Sequence, residues 1–586
     1  MTRSDLATTL ACATLACAVL AAPTLASAQD LAVVATTPAM HAVSAPRSGP
    51  VRLTFTDTLD PATVSPATVR VMGRWSGPVA GAVGLSVDRR TVVFTPARPF
   101  QAGEAVTVQI TRDLRAATGA GVGAGRGLTF WAAAAAGSLT LPEVARVAIR
   151  RPGEDNIVTY GGVGMDLDGD RFNDFAVTNE ATGDVRVFLN DGAGRYGAFT
   201  VVPLPQGSVP SPLEGGDFDA DGDMDLAVAN IGNNRVSVLL GNGAGGFPTG
   251  ASYVSGQTVR SLASMDVDGD GRDDLITANR TAATVAVLRG RGDGTFGPAA
   301  PMPLAGTEPH ALAVADFNED GRLDVVVGDF EAQGLVTMLN DGAGGFAEGA
   351  RVGFVGSPWM IATGDLDRDG HADVAVAGAF AGVVNVAWGN GAGGFAGVTE
   401  LAAGNFLVAI DVGDLDGDGD LEIVSSNYGS ADFALFENLG GRQFATRRTF
   451  PVDGAAACIT LHDRDNDGDL DMSGVDEVDD LIYLYDNTGA VAVAPAVPDA
   501  RTSVRVAGAN PVRDRAVVAV RLAVAGPARL SLVDVLGREV SVALDGALSA
   551  GEHTLPIAVA GLAPGVYAVR LVAGGEVRSA RFTVAR

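Results

Sequence analysis

The sequence predicts an all-β chain in which a seven-bladed β-propeller is flanked by two small β-sandwich domains. Three observations carry this reading. An Asp-rich loop recurs seven times at a step of ~50 residues, beginning at Asp166, Asp217, Asp266, Asp316, Asp365, Asp414 and Asp463. An aromatic residue after a Gly-rich turn keeps the same step at Tyr196, Phe247, Phe296, Phe346, Phe395 and Phe444. Between these landmarks lie short apolar runs such as Leu226-Ala227-Val228-Ala229 and Leu335-Val336-Thr337-Met338-Leu339, four strand-like segments per unit. Four short strands repeated seven times describe a ring that closes on itself, whereas a solenoid leaves ends to be capped.

In chain order, residues 1–28 read as a secretory signal. Arg3 supplies the charge, an Ala/Leu/Val-rich run extends from Leu6 to Ala22, and Ala26-Ser27-Ala28 offers a cleavage site before Gln29. A lipoprotein signal at Cys17 is the alternative. Cys12 and Cys17 fall inside this segment, so the exported chain keeps only Cys458 and has no intramolecular disulfide. Cys458 lies in an apolar run, Ala455 to Leu461, and reads as a small core residue. No later run reaches the ~18 apolar residues of a transmembrane helix.

Residues 29–137 form the first sandwich, with strands such as Thr91-Val92-Val93-Phe94 and Ala105-Val106-Thr107-Val108. The propeller spans 141–490. Its last unit lacks a clear fourth strand after Tyr485, but Glu143 to Arg150 shares Ala-Arg-Val with the fourth-strand segment Gly349 to Phe354. This N-terminal segment is therefore expected to complete the seventh blade. A Pro/Ala/Val-rich linker covers 491–500, and 501–586 form the second sandwich.

Charge follows the same division. The chain has 69 acidic residues against 41 basic ones, a net charge of −28, and every basic residue is arginine. Residues 29–140 carry +4 and residues 501–586 carry +5, while residues 141–499 carry −37. This balance excludes a counterion-releasing nucleic-acid binder, and the lack of lysine excludes Schiff-base chemistry and a P-loop lysine.

Most of the acid sits at positions 1, 3, 5 and 9 of the loops. The sets are Asp166, Asp168, Asp170 and Asp174; Asp217, Asp219, Asp221 and Asp225; Asp266, Asp268, Asp270 and Asp274; Asp316, Asn318, Asp320 and Asp324; Asp365, Asp367, Asp369 and Asp373; Asp414, Asp416, Asp418 and Glu422; Asp463, Asp465, Asp467 and Asp471. Alternate carboxylates in a tight loop converge on one point, and several hard oxygens without His or Cys suit Ca²⁺ and not zinc. An EF-hand is excluded because position 12 is Val177, Val228, Thr277, Val327, Val376, Ser425 or Gly474. Asn318 removes one charge from the fourth site, which is expected to be weaker.

With these loops the repeats resemble the FG-GAP/VCBS family, which includes the integrin α-subunit propeller and many bacterial surface proteins. The resemblance implies that each loop joins the first two strands of a blade, and that up to seven Ca²⁺ ions bind on one face in a structural role. Residues Thr54-Phe55-Thr56-Asp57-Thr58-Leu59-Asp60-Pro61-Ala62-Thr63-Val64 resemble a bacterial Ig-like domain. At the other end, Asn510-Pro511, Leu532 to Val540 and Leu562 to Tyr567 resemble the C-terminal sorting domain of type IX secretion. That likeness implies an Ig-like sandwich, a partner in the outer-membrane secretion machinery, and a place outside a Gram-negative cell. An ordinary Ig-like end domain is the alternative.

No catalytic constellation emerges. His41, His310, His371, His462 and His553 lie in different domains or blades, outside any nucleophile-elbow or metal-ligand spacing. The expected function is a secreted or cell-surface binding or adhesion protein with a protein or carbohydrate ligand and no enzymatic activity. An architectural surface protein and an extracellular hydrolase or lyase are the rival readings. A residue thirteen positions after each loop start (Asn179, Asn230, Asn279, Asp329, Gly378, Asn427, Asp476) is expected to cap a turn. Trp359, Phe380 and Tyr428 are the candidate exposed aromatics.

Overall fold

The computed structural model describes residues 31–304, 306–342 and 344–488. Between 503 and 585 it describes all but 508–511, 514, 523–525, 534–537, 550, 560, 564 and 574–575. The signal segment 1–28 and the linker 491–500 lie outside the described residues, as do Asn510-Pro511 and Asp534 to Gly537. Among the described residues there is no α-helix, only two 3₁₀ turns at Pro61–Thr63 and Tyr428–Ser430.

Seven four-stranded antiparallel sheets follow one another between residues 143 and 485. Blade 1 comprises Thr159–Met165, Asp174–Asn179, Asp184–Asn190 and Tyr196–Pro203 in sequential order. First strands of successive blades pack side by side, and the first strand of blade 7, Ala456–His462, packs against that of blade 1. The ring is thus closed, a seven-bladed propeller.

Position in the blade explains the composition of each strand. Second strands are fully buried, covered by the neighbouring blades, so they read as near-continuous apolar runs such as Phe175-Ala176-Val177. Fourth strands at the rim alternate, as in Tyr196–Pro203. First strands crowd the axis and use small residues: a Cβ on Gly161 would lie 2.8 Å from the Ser211 carbonyl oxygen.

Blade 7 takes its fourth strand from Glu143–Ala148, as expected from the Ala-Arg-Val segment, with Ile482 opposite Val147 and Leu484 opposite Ala145. Arg146 lies over the Tyr483 ring at 4.5 Å, and the Ile149 amide donates to the Asp480 carbonyl at 2.9 Å. Deleting residues 143–148 would leave Leu481–Tyr485 as a bare edge and uncover the buried Ile482 and Leu484. Each such side chain contributes ~1.5–3 kcal/mol, so the deletion is expected to cost several kcal/mol in urea denaturation. A midpoint matching the intact chain would show that the strand does not close the ring.

The N-terminal sandwich has two four-stranded sheets. One holds Val33–Thr37, Val51–Phe55, Thr91–Pro96 and Gly81–Leu85; the other holds Gly77–Pro78, Val69–Gly73, Ala105–Ile110 and Arg126–Trp131. Leu53, Phe55, Phe94, Val108 and Phe130 fill the space between them. Residues 491–586 form a separate unit. It contains a three-stranded sheet (Ser503–Ala507, Arg515–Leu522, Gly551–Ala558) and a four-stranded sheet (Glu539–Leu548, Gly526–Val533, Gly565–Ala573, Glu576–Val584). Its core includes Val518, Leu530, Leu532, Val569 and Phe582.

Candidate functional site: acidic loops on one face, aromatic side chains on the other

Each acidic loop joins the first and second strands of its blade, which puts all seven on one face of the ring. The Gly-rich turn between third and fourth strands lies on the same face. Position 9 opens the second strand and ties the two connections together. Asp174 accepts from the Leu167 amide and from the Asn190 amide, both at 2.8 Å. The same pair of bonds recurs at Asp225, Asp274, Asp324, Asp373, Glu422 and Asp471. Position 9 is therefore a clamp for the fold as well as a carboxylate aimed at the loop centre, a role that ligand spacing alone does not reveal.

Positions 1 and 3 meet position 9 in several loops. Carboxylate oxygens of Asp166, Asp168 and Asp174 lie within 4.8 Å of one another, as do those of Asp217, Asp219 and Asp225, of Asp365, Asp367 and Asp373, and of Asp414, Asp416 and Glu422. In the third loop it is Asp266, Asp268 and Asp270 that gather. Position 5 elsewhere caps the turn, as where Asp170 accepts from the Phe172 amide at 2.8 Å. In the fourth loop Asn318 donates to Asp320 at 3.2 Å.

The electrostatics suit a cation. Burial foremost, then repulsion from neighbouring carboxylates, pushes Asp266 up to about 7, Asp373 to about 8 and Glu422 to about 9. Buried oxygens Oδ1 of Asp268, Asp316 and Asp414 and both oxygens of Asp463 have no hydrogen-bond partner. Clustered, dehydrated carboxylates with lone pairs to spare are what a hard divalent cation requires. Arginines supply part of the missing charge: Arg442 reaches Asp367 and Asp369, and Arg289 reaches Asp274.

The Ig-like sandwich sits on this face. The Arg112 amide donates to Gly269, Gly127 to Gly321 and Ala135 to Gly468, at 2.6, 2.8 and 2.6 Å. Ser44 donates to Asp414 at 3.1 Å, and Gln109 to Asp273 at 3.0 Å. Gly269, at φ +74°, is required by this contact as well as by the loop, since a Cβ there would lie 2.0 Å from the Ala124 carbonyl oxygen. A hairpin turn, Arg74-Trp75-Ser76, enters the end of the central channel. Buried Glu104 holds it by accepting from the Ser76 amide at 3.1 Å and the Ser76 hydroxyl at 2.9 Å. Trp75 is buried in a hydrophobic cluster that includes Leu415, Leu461 and Leu470, its carbonyl accepts from the Asp166 amide at 2.9 Å, and Arg74 pairs with Asp411 at 2.9 Å. Behind the hairpin lies a cavity of about 370 Å³ whose lining includes Arg74, Glu214 and Asp411.

The opposite face is built from the first-strand starts and the second-to-third-strand turns. Six residues before each loop stand Tyr160, Ser211, Arg260, His310, Trp359, Val408 and Ala457; fourteen after each loop start stand Glu180, Ile231, Arg280, Phe330, Ala379, Tyr428 and Glu477. Unlike the Asp positions, neither set repeats. Blades 4 to 6 bring His310, Phe330, Trp359, Phe380, Phe406 and Tyr428 into one cluster. Phe380 stacks on Phe406 with ring centres 4.7 Å apart, His310 stacks on Phe330 at 4.9 Å, and Trp359 meets Phe406 edge-on at 5.1 Å. The Trp359 indole N–H donates across the channel mouth to the Tyr160 hydroxyl. Phe380 is 68% exposed, whereas Trp359 and Tyr428 are half-buried. Sequence reading identified three of the six; offsets counted from the loop starts would have found His310 and Phe330.

The remaining candidates are structural. Asn179, Asn230, Asn279, Asp329, Asn427 and Asp476 are buried, and Asp476 accepts from the Gly454, Ala455 and Val478 amides at 2.7, 2.9 and 3.0 Å. His462 is buried, bonds Ser473 at 2.9 Å, and is pushed down to about 3 by burial. Cys458 is buried and free, its thiol pushed up to about 12 by burial. No helix among the described residues is long and apolar enough to cross a membrane.

Comparison with solved structures finds BBS1N in complex with ARL6DN, with 12% identity and a TM-score of 0.42, covering 60% of this chain and 98% of that one. A protein from Lactobacillus plantarum has 15% identity and a TM-score of 0.37, with 51% and 86% covered. One from Desulfotomaculum acetoxidans has 11% and 0.35, with 65% and 98% covered. No curated protein sequence matches the chain. A bacterial Ig-like domain model matches residues 27–131. An FG-GAP-like repeat model matches 166–228, 217–277, 266–327, 316–376, 365–425 and 414–473. Each of these segments runs from one acidic loop toward or into the next, and together they cover more than half of the sequence: the chain belongs to the FG-GAP-like repeat family.

Proposed function

We propose that this is a secreted or outer-surface binding protein of a Gram-negative bacterium. In this reading its propeller is fastened by structural Ca²⁺ in the acidic loops and presents the opposite face to a protein or carbohydrate ligand. One contrast carries the reading. The acidic face repeats and is covered by the Ig-like sandwich, whereas the other face varies from blade to blade and exposes an aromatic cluster. Repetition suits seven equal fasteners, and variation suits recognition of one partner. The C-terminal sandwich would deliver the chain through the outer membrane by type IX secretion. The proposal includes no catalytic step.

When bound, Ca²⁺ supplies charge neutralisation and a cross-link between carboxylates. Positions 1, 3, 5 and 9 of each loop would hold it, and position 9 would pass that restraint to the blade through its two backbone hydrogen bonds. Binding of the full chain to arrayed glycans and to cell-surface proteins, repeated with Phe380→Ala, tests the binding function. Retention of a ligand by the native chain and its weaker retention by the variant is expected. Binding that the change leaves at full strength, or none to either panel, would contradict it.

A further inference from the structure

The proposed binding face carries a guanidinium with no carboxylate in contact. Arg260 is half-buried at the channel mouth, its guanidinium 5.0 Å from the centre of the Trp359 ring and its Nε 3.4 Å from Nε2 of His310. Among the described residues no carboxylate lies within 4.0 Å of it. Its neighbour Arg280 is already committed, paired with Glu308 at 2.8 Å and lying 3.8 Å over Phe330. Glu180 and Glu477 also face the mouth. Glu477 accepts from the Tyr428 hydroxyl at 3.1 Å, and Glu180 feels Arg260 only at a distance. The Tyr160 hydroxyl accepts from Trp359, which leaves its own proton for another acceptor. A guanidinium and a hydroxyl with a proton to donate thus both flank Trp359, whose ring centre lies 6.2 Å from that of the exposed Phe380.

Resting on the binding function proposed above, we infer that the ligand is an acidic carbohydrate: a sugar ring lies on the exposed Phe380 ring while its carboxylate meets Arg260 and the Tyr160 hydroxyl. A planar carboxylate matches the guanidinium fork, and the apolar C–H face of a pyranose matches the electron-rich face of an aromatic ring. A cationic ligand fits less well, because Arg260 and Arg280 already lie over the faces of Trp359 and Phe330.

The test uses the calcium-loaded full chain with short oligosaccharides of glucuronic, galacturonic and mannuronic acid. Each is paired with the same oligomer whose carboxylates have been reduced to alcohols. Calorimetry reports affinity, and tryptophan fluorescence reports the site, because Trp75, Trp131 and Trp388 are buried away from it. At least one acid should bind, with its reduced form weaker by roughly tenfold or more. Arg260→Gln should erase that preference, and Phe380→Ala should weaken both forms by about five- to tenfold. Both variants should melt as the native chain does; if Arg260→Gln does not, Arg260→Lys supplies the comparison, with the preference reduced but retained. Equal binding of acid and reduced forms, or no binding of any acid, overturns the inference. If a neutral glycan or a peptide binds and is lost in Phe380→Ala, the acidic-sugar assignment fails and the binding face stands. If Phe380→Ala affects no binding at all, the binding-face reading itself fails.

Discussion

Chelation with EGTA is expected to lower the melting temperature of the full chain by on the order of ten degrees or more. The carboxylates of each loop are held together by the fold whether or not a cation is present, and burial and mutual repulsion oppose their ionisation. Two unit charges a few Å apart repel by about 1 kcal/mol even in water. A cation at ~100 times its dissociation constant stabilises the native state by ~2.7 kcal/mol per site, so three occupied sites already contribute ~8 kcal/mol. For a domain of 150–250 residues, 1 kcal/mol shifts the melt by about 2–4 °C, and less for a larger one. Mg²⁺ should restore little, since it demands octahedral geometry and dehydrates reluctantly. Calorimetry in millimolar Ca²⁺ and in EGTA decides the matter, and superimposable melts would sink the structural-calcium assignment.

Trp75→Ala should cost about 3–5 kcal/mol and uncouple the Ig-like sandwich from the propeller. Trp75 is 3% exposed, yet the hydrophobic cluster it joins is built mostly from the propeller, Leu415, Leu461 and Leu470 among its members. The sandwich has its own core around Phe55, Phe94 and Phe130, which the substitution leaves untouched. The loss should therefore fall on the interface, and a single calorimetric transition should become two. Protease cleavage near residues 133–138, between the sandwich and the closing strand, should become faster. An unchanged single transition would mean that the hairpin lies in the channel without holding it.

The repeat was legible in the sequence because its cause is local. Each Asp in a loop answers to the few residues around it, so the same spacing returns in every blade. Closure by Glu143–Ala148 was legible for a related reason: Ala145-Arg146-Val147 still carries the pattern of a fourth strand, although its blade lies more than 300 residues away. Docking of the sandwich was not legible. Arg74, Trp75 and Ser44 meet Asp411, Asp166 and Asp414 through contacts that occur once each, and nothing periodic marks them. The double use of position 9 was hidden because a carboxylate that ligates and one that accepts two backbone amides look the same in sequence. The aromatic cluster lay between these cases. Trp359 and Phe380 stood out as residues, but their meeting with His310 and Phe406 depends on how neighbouring blades align around the axis.

The number of calcium ions retained per chain bears most directly on the fastening role of the loops. Native mass spectrometry after exchange into micromolar Ca²⁺ would count them, alongside a chain carrying Asp365→Ser and Asp367→Ser. The calcium assignment predicts between five ions, one for each three-carboxylate loop named above, and seven, one for each acidic loop. The variant should hold one fewer. A chain at its bare mass, or a variant with an unchanged count, would contradict it.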